Sequence, residues 1–244
     1  MNKRDVDVAI IGAGTAGMVA YQRVAKKTDR VVLIEGEQYG TTCARVGCMP
    51  SKLLIAAAER AHDLKSAGDF GVLAGDVRID GRLVMQRVRA ERDKFVAPVV
   101  RSMEKLPEEH RLMGHARFLD AHRLEVGDHT EVRADRIIIA TGSRPNIPGI
   151  FKEARDRLIV NDDIFDWQDL PGSVAVFGPG VIGLELGQAL SRLGVKVHLF
   201  GVSGGIDSSA VVCMLAQALG PERVLAVNMP TQFNSDITQN NARQ

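Results

Sequence analysis

A chain of 244 residues, 45% hydrophobic and 25% charged, can bury a sizeable core and lacks the composition of a disordered segment. A formal net charge of +1 gives no footprint for nucleic acid or an anionic membrane, and no apolar run approaches the about 20 residues a membrane helix needs. Three cysteines are too few for a disulfide framework, and the basic start Met1-Asn2-Lys3-Arg4 is interrupted by Asp5 and Asp7, so the expectation is a cytoplasmic protein without membrane or nucleic-acid partners.

The first element is "VDVAIIGAGTAGMVAYQRVAKKTDRVVLIE", residues 6–35. An apolar strand runs into Gly12-x-Gly14-x-x-Gly17, a helix follows, and a second strand ends on Glu35. The spacing has a physical reason. The first glycine makes the tight turn, the second lets backbone approach a pyrophosphate, and the third lets the helix pack close to the strand. The helix start then offers free N–H groups to phosphate, and an acid at Glu35 suits a ribose hydroxyl.

Next comes "GTTCARVGCMPSK", residues 40–52, with Cys43 and Cys48 in a Gly/Thr-rich stretch and Lys52 close behind. A helix start with a nearby lysine is the setting that favours a reactive thiolate. The run 81–106 carries Val84, Val88, Phe95, Val99, Met103 and Leu106 on one face of a long predicted helix, which Pro98 should kink or interrupt. Short strands are predicted around Phe118, Leu124 and Val132, and then Arg136–Ala140 enters the turn Thr141-Gly142-Ser143. The six histidines fit no metal spacing and read as structural or surface residues.

A second copy of the first element, "SVAVFGPGVIGLELGQALSRLGVKVHLF", spans residues 173–200 with Gly178-x-Gly180-x-x-Gly183. The copies align without a gap, and Glu35 falls on Gly201, so the second unit lacks its ribose acid. A different phosphate loop begins there: Ser203-Gly204-Gly205-Ile206-Asp207-Ser208.

With these motifs in order, residues 1–200 resemble the N-terminal part of the flavin-dependent pyridine nucleotide-disulfide oxidoreductases, most closely the dihydrolipoyl dehydrogenase branch. The carriers are 12–17, Glu35, 43–52, "GHARF" at 114–118, "ATGSRP" at 140–145 and "GPGVIGLE" at 178–185. The resemblance implies FAD on Gly12, Gly14 and Gly17, with Glu35 on its ribose, the backbone near Ala116 at the adenine, and Thr42, Thr141 and Gly142 completing the site. It implies Cys48 against the flavin, Cys43 as the interchange thiol for a small dithiol such as dihydrolipoamide, and Lys52 near the flavin paired with Glu185. Gly178, Gly180 and Gly183 would hold NAD, weakly in an incomplete site. Glutathione reductase and mercuric reductase share the cysteine motif. Val181 stands where glutathione reductase-like sequences tend to carry tyrosine, which favours the lipoyl reading, and the mercuric one stays open.

From Gly201 the chain resembles the ATP-pyrophosphatase loop of NAD synthetase. That implies ATP cradled by Ser203, Gly204, Gly205, Asp207 and Ser208, with Asp207 on Mg²⁺, and Cys213 as a small buried residue. The expected fold is α/β: a Rossmann-like FAD-binding domain with helical and β-meander insertions (1–147), a truncated second Rossmann-like βαβ unit as a partial NAD-binding domain (148–200), and a fragment of an adenine-nucleotide α-hydrolase-like fold (201–244). The resembled reductases are homodimers whose interface domain, with its catalytic His/Glu pair, has no counterpart in this sequence. The expectation is therefore an apparent chimera: an oxidoreductase fragment, weakly active or inactive. The alternatives are an ATP-dependent amidating ligase fragment and a non-catalytic nucleotide-binding protein.

Overall fold

Burial with a period of two builds the first sheet. In the strand β1 (Asn2–Ile11), Ala9 and Ile11 face one core while Val8 and Ile10 face another, and the next strand, β2 (Val31–Glu35), divides its residues the same way. A strand buried on both faces reads as an unbroken apolar run, which explains Val31-Val32-Leu33-Ile34. The computed structural model describes residues 1–147, 151, 154 and 157–201, together with the backbone of 226–228. Two compact units share them: Met1–Gly47 with Arg92–Arg155, and Cys48–Glu91 with Asp156–Gln244.

In the first unit, β1 leads into α1 (Thr15–Val24), then β2, then the short α2 (Thr42–Arg45). Later come β3 (Arg111–Met113), β4 (Ala116–Phe118), β5 (Arg123–Val126) and β6 (Thr130–Ile139), and the six strands lie in the order β3-β2-β1-β6-β5-β4. The first four are parallel, and β4, β5 and β6 form an antiparallel meander. Sequence reading separates a strand at Val132 from one at 136–140. The structure joins them in one ten-residue strand, whose first half pairs with β5 while its full length pairs with β1.

A buried histidine closes one side of this unit. His110 meets the Tyr21 hydroxyl at 2.7 Å through Nδ1 and the Asp29 carbonyl at 2.8 Å through Nε2. A carbonyl only accepts, so in the neutral ring Nε2 carries the proton and Nδ1 accepts from Tyr21. Burial holds the Tyr21 phenol above its ordinary range, with the Glu109 and Asp29 charges adding to it.

The second unit contains α3 (Cys48–Ser66), the strand β7 (Ser173–Phe177), α5 (Val181–Arg192), β8 (Lys196–Gly201) and β9 (Ala226–Asn228). The sheet order is β7-β8-β9, all parallel. Helix α3 packs on α5, with Leu54, Ala58 and Ala61 buried on the former and Leu186, Ala189 and Leu190 on the latter. Lys65 donates to the Arg192 carbonyl at 3.3 Å, a cation placed at the C-terminal end of α5.

The helix α4 (Gly81–Glu104) contributes to both units and continues past Pro98, which does not interrupt it. Burial at both ends accounts for its continuity: Met85 and Val88 are buried in the second unit and Met103 joins the first unit's core. Phe95, expected on the apolar face, is exposed instead. No helix among the described residues is long and apolar enough to cross a membrane.

Candidate functional site

The three glycines of the first loop stand in three different environments. Gly12 has φ +101°, and a Cβ there would strike the Ala140 carbonyl. A Cβ on Gly17 would run into the Gly12 carbonyl, so α1 can approach the loop only without one. Around Gly14, by contrast, a Cβ would meet nothing within 4 Å. Gly14 is also the N-cap of α1 and supplies no side-chain acceptor, so the first-turn N–H groups border that open space.

Glu35 lies against the same loop. Its carboxylate accepts from the Ala13 N–H at 2.8 Å and from the Glu37 N–H at 3.1 Å, while its carbonyl accepts from Gly114 at 2.8 Å. The last bond brings residues 114–116 beside the end of β2, where the missing side chain of Gly36 leaves room for the His115 ring. The turn after β6 arrives from the other side. Ala140 donates to the Ile11 carbonyl at 2.8 Å, Thr141 abuts Gly12, and Gly142 takes φ +68°. Thus Gly12, Gly14, Gly17, Glu35, Ala116, Thr141 and Gly142 gather at the carboxyl ends of β1, β2 and β6 and the start of β4. That edge is where open α/β sheets bind ligands.

Thr42 and Cys43 lie in α2, which is capped by the neighbouring Thr41, whose hydroxyl accepts from Ala44 N at 3.1 Å. Cys43 is half-buried. Gly47 holds the chain tight against α2, since a Cβ there would sit 3.0 Å from the Thr42 carbonyl and 3.3 Å from the Cys43 Cα. In the second unit, Cys48 is the exposed first residue of α3, with Pro50 in its first turn.

On α3, Lys52 pairs with Glu185 of α5. Lys52 is 65% exposed, so the pair contributes only about 0–1 kcal/mol to stability. Ser51, which sequence reasoning passes over, belongs to the same cluster. Its hydroxyl lies 3.1 Å from the Cys48 carbonyl and 3.3 Å from Glu185 Oε1, and it can donate to either. The signal was present in the spacing, because Ser51 stands one helical turn after Cys48.

The second glycine loop repeats the strand register and the loop-closing hydrogen bond of the first. Val8 opposes Val31 and Ile11 opposes Ile34; correspondingly Val174 opposes Val197 and Phe177 opposes Phe200. Gly12 N–H donates to the Ile34 carbonyl at 2.8 Å, and Gly178 N–H to the Phe200 carbonyl at 3.1 Å. Gly178 has φ +104°, a Cβ on Gly183 would strike the Gly178 carbonyl, and a Cβ on Gly180 would meet nothing within 4 Å. His198 sits in β8 opposite Ala175, a strand position. Ser203, Gly204, Gly205, Asp207, Ser208 and Cys213 lie outside the described residues.

Two glycine loops, each between a parallel strand and a helix, give the layout of a dinucleotide-binding protein of the α/β class, and the chain adds a paired lysine and glutamate and two cysteines. The pyridine nucleotide-disulphide oxidoreductase family model matches residues 6–210, and the chain belongs to that family, which is built around FAD and NAD(P). A second model, NAD synthase, matches residues 181–244, so the two overlap across α5 and β8. The chain is 36% identical over 214 residues to dihydrolipoyl dehydrogenase 3 of Pseudomonas aeruginosa, covering 82% of this chain and 45% of that protein. It is 33% identical over 205 residues to dihydrolipoyl dehydrogenase of Bacillus subtilis, covering 79% and 43%. The chain therefore spans about half the length of the curated relatives it matches. Among solved structures, the HOCl-induced flavoprotein disulfide reductase RclA from Escherichia coli shares the fold, with a TM-score of 0.73 and 23% identity over 91% of this chain and 48% of that one.

Proposed function

We propose that this chain carries the FAD-binding and redox-active part of a disulfide oxidoreductase of the dihydrolipoyl dehydrogenase type, acting on a small dithiol such as dihydrolipoamide. The observation that supports it most is the cradle at the first loop. The open space over Gly14 is bordered by the uncapped start of α1 and by Glu35, and it suits a pyrophosphate followed by a ribose. Residues 12–17, Glu35, Thr42, Lys52, the backbone near Ala116, Thr141 and Gly142 would hold FAD. Gly178, Gly180 and Gly183 would hold the nicotinamide dinucleotide. When bound, FAD supplies a two-electron acceptor between the cysteine pair and the nicotinamide.

The chain's own chemistry is thiol–disulfide exchange. With Cys43 and Cys48 joined as a disulfide, a substrate thiolate attacks the Cys43 sulfur and Cys48 leaves as a thiolate. The second substrate thiolate then displaces Cys43. One S–S bond breaks in the protein and one forms in the substrate. Two electrons pass to the cysteines, and the two protons released by the substrate thiols end on the cysteine sulfurs or in solvent. Lys52, held by Glu185, places a positive charge close behind Cys48 in sequence.

The test is an anaerobic dithiol titration of the FAD-loaded protein. Loss of the visible flavin band on adding dihydrolipoamide, abolished in both Cys43→Ser and Cys48→Ser, is expected. Bleaching that survives either substitution, or a protein that takes up no FAD, overturns the reading.

The NAD synthase match favours a second reading for the tail. Ser203-Gly204-Gly205 and Asp207-Ser208 would cradle the pyrophosphate of ATP, with Asp207 on Mg²⁺. An ATP–pyrophosphate exchange assay tests it, and the expected result is nucleotide binding without amidation.

A further inference from the structure

The shared register and loop-closing bond make one difference between the loops legible. In the first copy the Ala13 N–H donates to Glu35 at 2.8 Å, so the loop itself aims the ribose acid. The residues at the matching places in the second copy are Pro179 and Gly201. Proline has no N–H to donate and glycine has no carboxylate to receive it, so both halves of the contact are gone together. The space has been filled differently as well: a Cβ built on Gly201 would sit 3.7 Å from the Pro179 ring, an apolar neighbour where the first copy has a hydrogen bond. The open space at Gly180 and the start of the twelve-residue α5 are unchanged, so what the loop loses concerns the ribose and not the pyrophosphate.

An acid at this place accepts a hydrogen bond from a ribose 2′-hydroxyl and repels a 2′-phosphate. Without it, neither the attraction nor the repulsion operates. We propose that Pro179 and Gly201 are a coupled specificity pair that leaves the second loop indifferent to the ribose 2′ position. The loop then takes pyrophosphate-bridged dinucleotides bearing either a 2′-hydroxyl or a 2′-phosphate. The proposal rests on the reading of the second loop as the nicotinamide dinucleotide site. Coupling follows from the first copy: a carboxylate restored at 201 alone faces a proline ring and has no loop donor to orient it. Selectivity returns in full only when residue 179 regains its N–H.

The test is calorimetric binding of NADH and NADPH to the full chain, with FAD in excess to fill the first loop. A Gly180→Val protein, whose second loop is closed by the added side chain, measures binding elsewhere. The intact chain is expected to bind the two dinucleotides within about threefold of each other. The double variant Pro179→Ala/Gly201→Glu is expected to favour NADH by tenfold or more, and Gly201→Glu alone by clearly less. Pro179→Ala alone keeps the ratio near one. So does Pro179→Ala/Gly201→Gln, which separates charge from bulk. An intact chain that discriminates more than tenfold overturns the proposal, as does Gly201→Glu alone matching the double variant. If no protein in the series binds either dinucleotide above the Gly180→Val background, the reading of the second loop as a dinucleotide site fails, and the pair fails with it.

Discussion

The carboxylate of Glu35 is already engaged before any ligand arrives, because two backbone N–H groups point at it and one of them belongs to the glycine loop. A preoriented acceptor loses less freedom when a ribose binds, so its removal should be felt in affinity more than in folding. Glu35→Ala is expected to weaken FAD binding by ten- to a hundredfold, about 1.4–2.8 kcal/mol, in a fluorescence titration. Glu35→Gln, which keeps an acceptor for Ala13, should fall between the two. Equal affinity in all three proteins would remove Glu35 from the site. Tyr21 offers a pH test at the same scale. Its phenol is raised above the ordinary value of 10.0 by burial, so the folded protein keeps the proton longer than the unfolded chain. That contribution is complete below the unfolded value and drains away as pH rises through the folded one. Urea midpoints measured on both sides of pH 10 should therefore fall more for the parent protein than for Tyr21→Phe, and parallel curves would contradict the assignment.

Two glycines of one loop separate folding from binding at the scale of the element. Gly17→Ala drives a methyl group into the Gly12 carbonyl, which is backbone and cannot step aside cheaply, whereas Gly14→Ala adds a methyl group in open space. The first should destabilise the first unit by about 1–3 kcal/mol, the ordinary cost of overpacking. The second should melt within a few degrees of the parent while losing FAD affinity, and thermal melts with and without FAD distinguish the two effects. Much of this was legible in the sequence because glycine spacing, an apolar strand and a closing acid are local signals that lie within 6–35 and again within 173–200. The Lys52–Glu185 pair was legible only through family resemblance, since its partners are far apart along the chain. Ala13 and Pro179 were invisible, because what matters there is whether a backbone N–H exists and where it points. Pro98 does not interrupt the helix for a related reason: proline opposes a helix locally, and burial at the two ends of α4 outweighs it.

At the scale of the whole molecule, two family matches overlap across α5 and β8, and β9 lies within the second of them. In the first unit β3 lies beside β2 with Leu33 opposite Arg111 and Glu35 opposite Met113. In the second, β9 lies beside β8 with Leu199 opposite Ala226 and Gly201 opposite Asn228, which is the same register at the equivalent residues. A strand from the NAD synthase-like tail thus takes the place that β3 holds in the first sheet. Register of this kind rests on backbone pairing, which any extended segment can supply, so a tail of other ancestry can complete the sheet. Proline distinguishes real pairing from mere proximity. Consecutive residues of a strand direct their N–H groups to opposite sides, so of Ala226 and Val227 only one donates toward β8. Ala226→Pro and Val227→Pro should therefore differ, the one that removes the donor costing about 1–3 kcal/mol through a lost ladder bond and an unpaired acceptor. Hydrogen exchange of the β8 amides and urea unfolding of the full chain measure it, and FAD binding at the first loop serves as the internal control. Two variants with parental stability and unchanged β8 protection would show that the tail plays no part in this sheet.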